Sequence, residues 1–257
     1  MRYLNDTIRQ LIRERRASGT DRGDVLSMLL LARDREGDSG GMTDEQARDE
    51  ALTLLVASHD STSAGLTWVC YGLARNPDVA ARAWAQVETV LGGRLPQYAD
   101  VPRLCYLETV VKEALRLYAP PFGVFARRAV TDVEVGEYLV EEGSLVQVVC
   151  YLTQRDSRWF PDPEKFDPGR FAPGRIEQIP PCAYFPFGGG PRGCLGSTFA
   201  MTEMILVAAT ILQRLQIELA PGQKEVGLSG LVFQPKGGLR LRWTRRSEVA
   251  ADRAPDQ

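Results

Sequence analysis

The stretch FPFGGGPRGCLGSTFAMTEMILVAATILQRL, residues 185–215, constrains this chain more than any other part of it. Glycines crowd around one cysteine, and an apolar helix is expected from about residue 196 to 215. A loop poor in side chains that feeds a helix start offers backbone N–H groups and a positive helix end to whatever lies before it. Gly188, Gly190 and Gly193 satisfy G-x-G-x-x-G. In a dinucleotide-binding unit that pattern follows a buried strand and precedes an acid about 20 residues on. Here the approach is IPPCAYFPF, whose prolines disfavour a central strand, and the equivalent of the acid is Gln213. No GK[ST] phosphate loop is present either. Nucleotide binding by this loop is disfavoured.

The other reading centres on Cys194. A thiolate there gains from the helix end and from the neighbouring Arg192, and the glycines let a flat macrocycle approach closely. A lone thiolate in such a loop suits haem iron. The competing reading, a buried inert cysteine, explains neither the arginine nor the clustered glycines. The five cysteines stand at 70, 105, 150, 182 and 194, an odd number without C-x-x-C spacing. That disfavours zinc sites and a disulfide framework, and it fits a reducing compartment. His59 is the single histidine, which removes most multi-histidine metal sites.

Composition narrows the class further. With 44% hydrophobic and 25% charged residues over 257 positions, the chain matches an ordinary globular protein with a sizeable core. A net charge of -2 gives no broad field for nucleic acid. The longest apolar stretches, such as Met204 to Leu212, fall short of the roughly 18 residues needed to cross a bilayer. The opening MRYLNDTIRQLIRERRASG has no apolar signal core. A cytoplasmic protein without nucleic-acid partners or a membrane segment in this chain is expected.

Helices are expected at 3–17, at about 24–33, from Thr43 to Asn76, at 78–92 and at 103–118. Gly37, Ser39, Gly40 and Gly41 mark a loop, and Thr43 with Gln46 resembles a capping box. The polar insert SHDSTS at 58–63 suggests a core helix interrupted at a site. Strand alternation runs over 130–152, and residues 155–191 form an irregular segment. A hairpin is expected over 230–243, turning at Lys236-Gly237-Gly238. The fold is therefore mainly α with small β-sheet elements, one domain over 1–244, and a disordered tail over 245–257.

At this point the sequence resembles the cytochromes P450. Phe187, Gly190, Arg192, Cys194 and Gly196 occupy every fixed position of the family's F-x-x-G-x-R-x-C-x-G loop. The resemblance implies that Cys194 is the axial metal ligand, that Arg192 pairs with a haem propionate, and that Phe187 packs beside the sulfur. Glu113 and Arg116 in KEALR match the family's E-x-x-R, and Arg170 in FDPGRF would complete a structural triad. At i,i+3 on a largely apolar helix the first two can pair and be buried together. Arg127 would reach the second propionate. Substrate contacts are implied for Ala57, Ser58, Val124, Phe125, Leu231 and Val232, near the turn at Ala119-Pro120-Pro121.

The chain departs from the family in the long helix. Ala57-Ser58-His59-Asp60-Ser61-Thr62 keeps the acid of the family's oxygen-binding motif. Ser58 replaces a usual glycine, and Ser61 a usual threonine. A hydroxyl survives, so Asp60, Ser61 and Thr62 remain the candidates for proton delivery. The resemblance covers residues 1–243 and corresponds to the C-terminal portion of the cytochrome P450 fold. It implies a monooxygenase using haem b (iron protoporphyrin IX), which inserts one atom of O2 into a small hydrophobic substrate. Electrons would come from NAD(P)H through a ferredoxin or flavin reductase. A non-catalytic haem-binding remnant, and a haem-thiolate enzyme that is peroxide-driven or an isomerase, are the alternatives. An anchor in a preceding N-terminal region would not be visible in this sequence.

Overall fold

A computed structural model describes residues 2–33, 40–123, 126–223, 227–230 and 232–247. Gly37, Ser39, Val124, Phe125, Leu231 and residues 248–257 lie outside the described residues. By contacts the chain divides into two units, Met1–Asp60 and Ser61–Gln257.

In the first unit, α1 (Arg2–Ser18) buries Ile8 and Ile12, while Leu4 and Leu11 remain exposed. Asp24 caps α2 (Val25–Leu31) by accepting from the Ser27 N–H at 2.9 Å. Its carboxylate, paired with Arg15, is held well below the usual range. Helix α3 (Asp44–Arg75) starts at the expected capping box: Gln46 N–H donates to Thr43 Oγ1, and Thr43 N–H to Gln46 Oε1. The unit's small core gathers Ile8, Ile12 and Ala47, flanked by Leu26, Leu30 and Met42.

The polar insert does not break α3, which is helical throughout its 32 residues. Ser58, His59 and Asp60 are exposed, and the Ser58 hydroxyl bonds back to the Leu55 carbonyl. Back-bonding of this kind satisfies the side chain within the helix, so a polar run on an open face costs no helical turn.

In the second unit the core lies among the last turns of α3, α4 (Pro77–Leu91), α5 (Cys105–Tyr118) and α7 (Ser197–Arg214). Val69, Val87, Val110, Ala114, Ile205 and Ala209 are fully buried there. Gly72 is required by close approach, because a Cβ on it would meet the Phe166 ring at 2.6 Å. Tyr98–Arg103 forms a 3-10 turn before α5, a tighter start than the continuous helix expected from residue 103.

The β elements are short and antiparallel. Strand β1 (Arg127–Arg128) pairs with β4 (Leu145–Val146), and β2 (Val133–Val135) with β3 (Tyr138–Val140). The expected strand tract ends early, since Cys150–Thr153 is a single helical turn, α6. Strand β5 (Leu215–Leu219) continues from α7 and pairs with β8 (Leu241–Arg245); β6 (Leu228–Ser229) pairs with β7 (Gln234–Pro235). The turn at Lys236-Gly237-Gly238 exists, but it joins strands of two different sheets and closes no hairpin. The architecture is mainly α with small two-stranded sheets. No helix of the described residues is long and apolar enough to cross a membrane.

Candidate functional site

The loop 185–196 is held by its own backbone. The Cys194 N–H donates to the Phe187 carbonyl at 2.8 Å, and Gly193 N–H to Gly190 O at 3.0 Å. Gly190 has φ +67°, a region in which a side chain is strained, and it opens the turn Gly190–Arg192. A Cβ on Gly189 or Gly190 would meet nothing within 4 Å, whereas one on Gly196 would lie 3.9 Å from Cys194 Sγ. The thiol is exposed, three residues before Ser197 opens the 18-residue α7. Arg192 is exposed as well. Phe187 packs its side chain against the main core, so the loop is anchored from below while its outer face stays open.

That outer face is apolar: Leu195 is 89% and Phe199 68% exposed. Two large hydrophobes so exposed beside a thiol and bare glycine backbone fit a flat apolar macrocycle ligated through sulfur. The other cysteines contrast. Cys70 and Cys150 are buried, and burial pushes both thiols up to about 11. Cys105 and Cys182 are exposed, but neither precedes a long helix from a glycine loop: Cys105 is the first residue of α5 and Cys182 follows Pro181.

Beneath the loop, α5 carries a buried charge knot. Glu113 and Arg116 are both 0% exposed and pair through two contacts, Nε–Oε2 at 2.7 Å and Nη2–Oε1 at 2.9 Å. Arg116 also donates to the carbonyls of Gln154 and Pro163, each at 2.7 Å. Glu113 Oε1 accepts the Asp167 N–H at 2.8 Å and faces Arg170 Nε at 3.4 Å. Arg170 in turn donates from Nη2 to Asp162 O at 2.8 Å. Burial pushes the Glu113 carboxyl up, opposed by its hydrogen bond to Arg116. The three residues expected to form a triad therefore meet, and they clamp the segment 162–170 onto α5.

Sequence reasoning missed Gln154. It is 0% exposed and joins α5 to the loop entrance, accepting the Phe185 N–H at 2.9 Å. A glutamine beside Arg155 in an irregular stretch carries no periodic signal, so only the fold could reveal it.

Two other expected segments also come together. Pro121 bridges Val232, and Phe233 N–H donates to Pro120 O at 2.6 Å. The Phe122 and Phe233 rings stack with centroids 5.3 Å apart. Trp68 Nε1, from α3, donates to the Phe233 carbonyl at 2.8 Å. Arg127 is exposed in β1, opposite Val146. On α3, Thr62 is buried, Ser61 half-buried, and Ala57 and Ser58 exposed; His59 Nδ1 lies 3.1 Å from Asp60 Oδ1.

The family model described as Cytochrome P450 matches residues 1–240. Cyclooctatin synthase of Streptomyces melanosporofaciens is 43% identical over 222 residues, covering 86% of this chain and 48% of that protein. Pentalenene oxygenase of Streptomyces avermitilis is 35% identical, covering 96% of this chain and 54% of its own length. The crystal structure of the cytochrome P450DA heme domain superposes with a TM-score of 0.87 at 33% identity, over 95% of this chain and 55% of that one. The chain spans about half the length of the curated relatives it matches. With its cysteine loop, its buried Glu–Arg pair and a family match reaching residue 240, the chain belongs to the cytochrome P450 family.

Proposed function

We propose that this chain supplies the thiolate side and the helical frame of a haem-thiolate monooxygenase. The observation that carries the reading is the exposed thiol of Cys194, set among bare glycine backbone and open apolar side chains. Haem b bound there would supply oxygen activation, with sulfur donating electron density that favours O–O cleavage. Each of the chain's own residues then has a defined task. Cys194 ligates iron, and the glycines at 190 and 196 keep the approach free of side chains. Arg192 and Arg127 offer exposed guanidinium groups for the propionates. Leu195 and Phe199 exclude water beside the sulfur.

Asp60, Ser61 and Thr62 are adjacent on α3 and are assigned to proton delivery, an acid next to two hydroxyls. Val232 and the Pro120–Phe122 turn would line the substrate side. The substrate would be a small apolar organic molecule, as the names of the two Streptomyces relatives suggest. NAD(P)H electrons would arrive through a ferredoxin or flavin reductase.

The deciding measurement is the absorption spectrum of the reduced, CO-treated protein after loading with haem. A thiolate-type band in the natural protein, absent from Cys194→Ser, is the expected result. A band retained by the variant would remove Cys194 and point to Cys182. Absence from the natural protein as well would favour a non-catalytic remnant.

A further inference from the structure

We infer that Gln154 is a positioning residue for the Cys194 loop, tying the C-terminal end of α5 to the backbone where the loop begins. The inference rests on the assignment of that loop as the working site, and its test is independent of haem.

The side-chain amide of Gln154 uses both of its ends. Nε2 donates to the carbonyls of Leu115 and Arg116 at 3.2 and 3.0 Å, while Oε1 accepts from Phe185 N–H at 2.9 Å. The two carbonyls fall in the last turn of α5, where helical partners run out and acceptors need outside donors. Phe185 is half-buried, and its N–H needs an acceptor. A primary amide is the neutral side-chain group that carries two donors and an acceptor at one end. Reversing it would set N–H against N–H and oxygen against two carbonyls, so its orientation is dictated by its neighbours.

Its main chain joins the same network, because the Gln154 carbonyl accepts from Arg116 Nη1 at 2.7 Å. One residue thus meets the charge knot with its backbone and the loop with its side chain. The neighbouring contact reinforces the direction: Tyr184 OH donates to Lys112 O, also on α5, at 3.1 Å. Two residues past Phe185 stands Phe187, whose carbonyl accepts the Cys194 N–H at 2.8 Å. Position therefore passes from α5 through Gln154 to Phe185, and along two residues of chain to the amide of the cysteine itself. Removing a buried hydrogen-bonding partner leaves the others unsatisfied, which frees the loop entrance before it loosens the helices.

The test uses the 257-residue chain without haem. Gln154→Met keeps the length and removes every polar atom of the side chain. Amide exchange is followed at Phe185 and Cys194, with Ala83 and Val87 of the distant core helix α4 as references. Alkylation of Cys194 is followed against exposed Cys105. The expected result is exchange about tenfold faster at Phe185 and Cys194, with α4 little changed and Cys194 alkylated faster relative to Cys105. If Gln154→Met does not fold, Gln154→Asn, shorter by one methylene and unable to span both sides, must show the same selective rise. Equal acceleration at all four amides, or none, would overturn the inference and leave Gln154 as ordinary core support. Absence of a thiolate spectrum in the natural protein would instead overturn the functional assignment and leave the exchange result standing.

Discussion

The charge knot on α5 and the loop that carries Cys194 sit close in the fold and follow opposite rules. Around Glu113 nearly every contact is closed: two arginines, a backbone N–H and four carbonyls meet about two fully buried side chains, and Arg170 Nε, 3.4 Å from the carboxylate, is left without a hydrogen bond. Around Cys194 the backbone is closed on itself, yet the sulfur, Leu195 and Phe199 face outward. A buried ion pair rarely adds much net stability over a well-packed apolar alternative, but breaking it is expensive because an unpaired charge remains. An exposed thiol is cheap to replace for folding and irreplaceable for ligation. On the proposed reading, rigidity and ligation fall to separate residues, joined through the hydrogen bonds of Gln154.

The largest effect expected is at the open end of that contrast. Cys194→Ser should abolish the thiolate spectrum entirely, while changing unfolding free energy by no more than about 0.5 kcal/mol, as for other exposed substitutions. Circular dichroism with urea titration checks the second half; a large loss of stability would mean the loop is also structural.

At the closed end, Glu113→Ala should cost about 3–5 kcal/mol, because Arg116 and Arg170 keep their charges without a carboxylate. Urea unfolding measures it. A variant that folds normally, binds haem and loses turnover alone would show that Glu113 has a chemical task, and the contrast between the two regions would collapse.

The cysteines sharpen the same comparison within one residue type. Cys70 and Cys150, raised from 9.0 to about 11 by burial, hold roughly a hundredth of the thiolate of an unperturbed thiol at pH 8. Their alkylation should lag behind that of exposed Cys194, since burial restricts access as well as raising both thiols, and should rise with pH toward 11. Mass spectrometry after timed alkylation at pH 8 and pH 10 reads it. Comparable labelling of all three would show that the core opens.

The smallest shift is expected at Ser61. Threonine's extra methyl restricts the hydroxyl to fewer rotamers, so Ser61→Thr should raise product formed per cofactor consumed and Ser61→Ala should lower it. The measurement belongs in the complete haem-loaded enzyme, with peroxide followed alongside. Identical coupling in all three would move proton delivery to Thr62 or to water.

Much of this molecule was readable before any fold was seen. The helices α1, α4 and α7 follow from 3.6-residue periodicity, and α3 stops where expected, before Pro77. The capping box at Thr43 and Gln46 was legible because it depends on residues three apart. The cysteine loop was legible for the same reason: glycines, arginine and thiol lie within ten positions, and local chain geometry decides their relation.

What stayed hidden depends on partners far along the chain. The turn at 236–238 looked like a hairpin, yet β8 pairs with β5, more than twenty residues earlier, and β7 with β6. Strands of two to five residues carry too little pattern to choose a mate; the choice is made by which edges the packed helices leave open. The polar run at 58–63 looked like a break, but a helix tolerates exposed serines that bond their own backbone. Gln154 shows the division at a single residue. Its sequence neighbours say nothing, and its role arises only when the end of α5 and the backbone of Phe185 are brought within hydrogen-bond distance of one buried amide. The residue types of the cysteine loop and the periodicity of the helices were determined by the sequence alone, because both are short-range. The strand pairing, the closure of the charge knot and the bridge from that knot to the cysteine were decided by tertiary structure, because burial forces each polar group to find a partner wherever the chain places one.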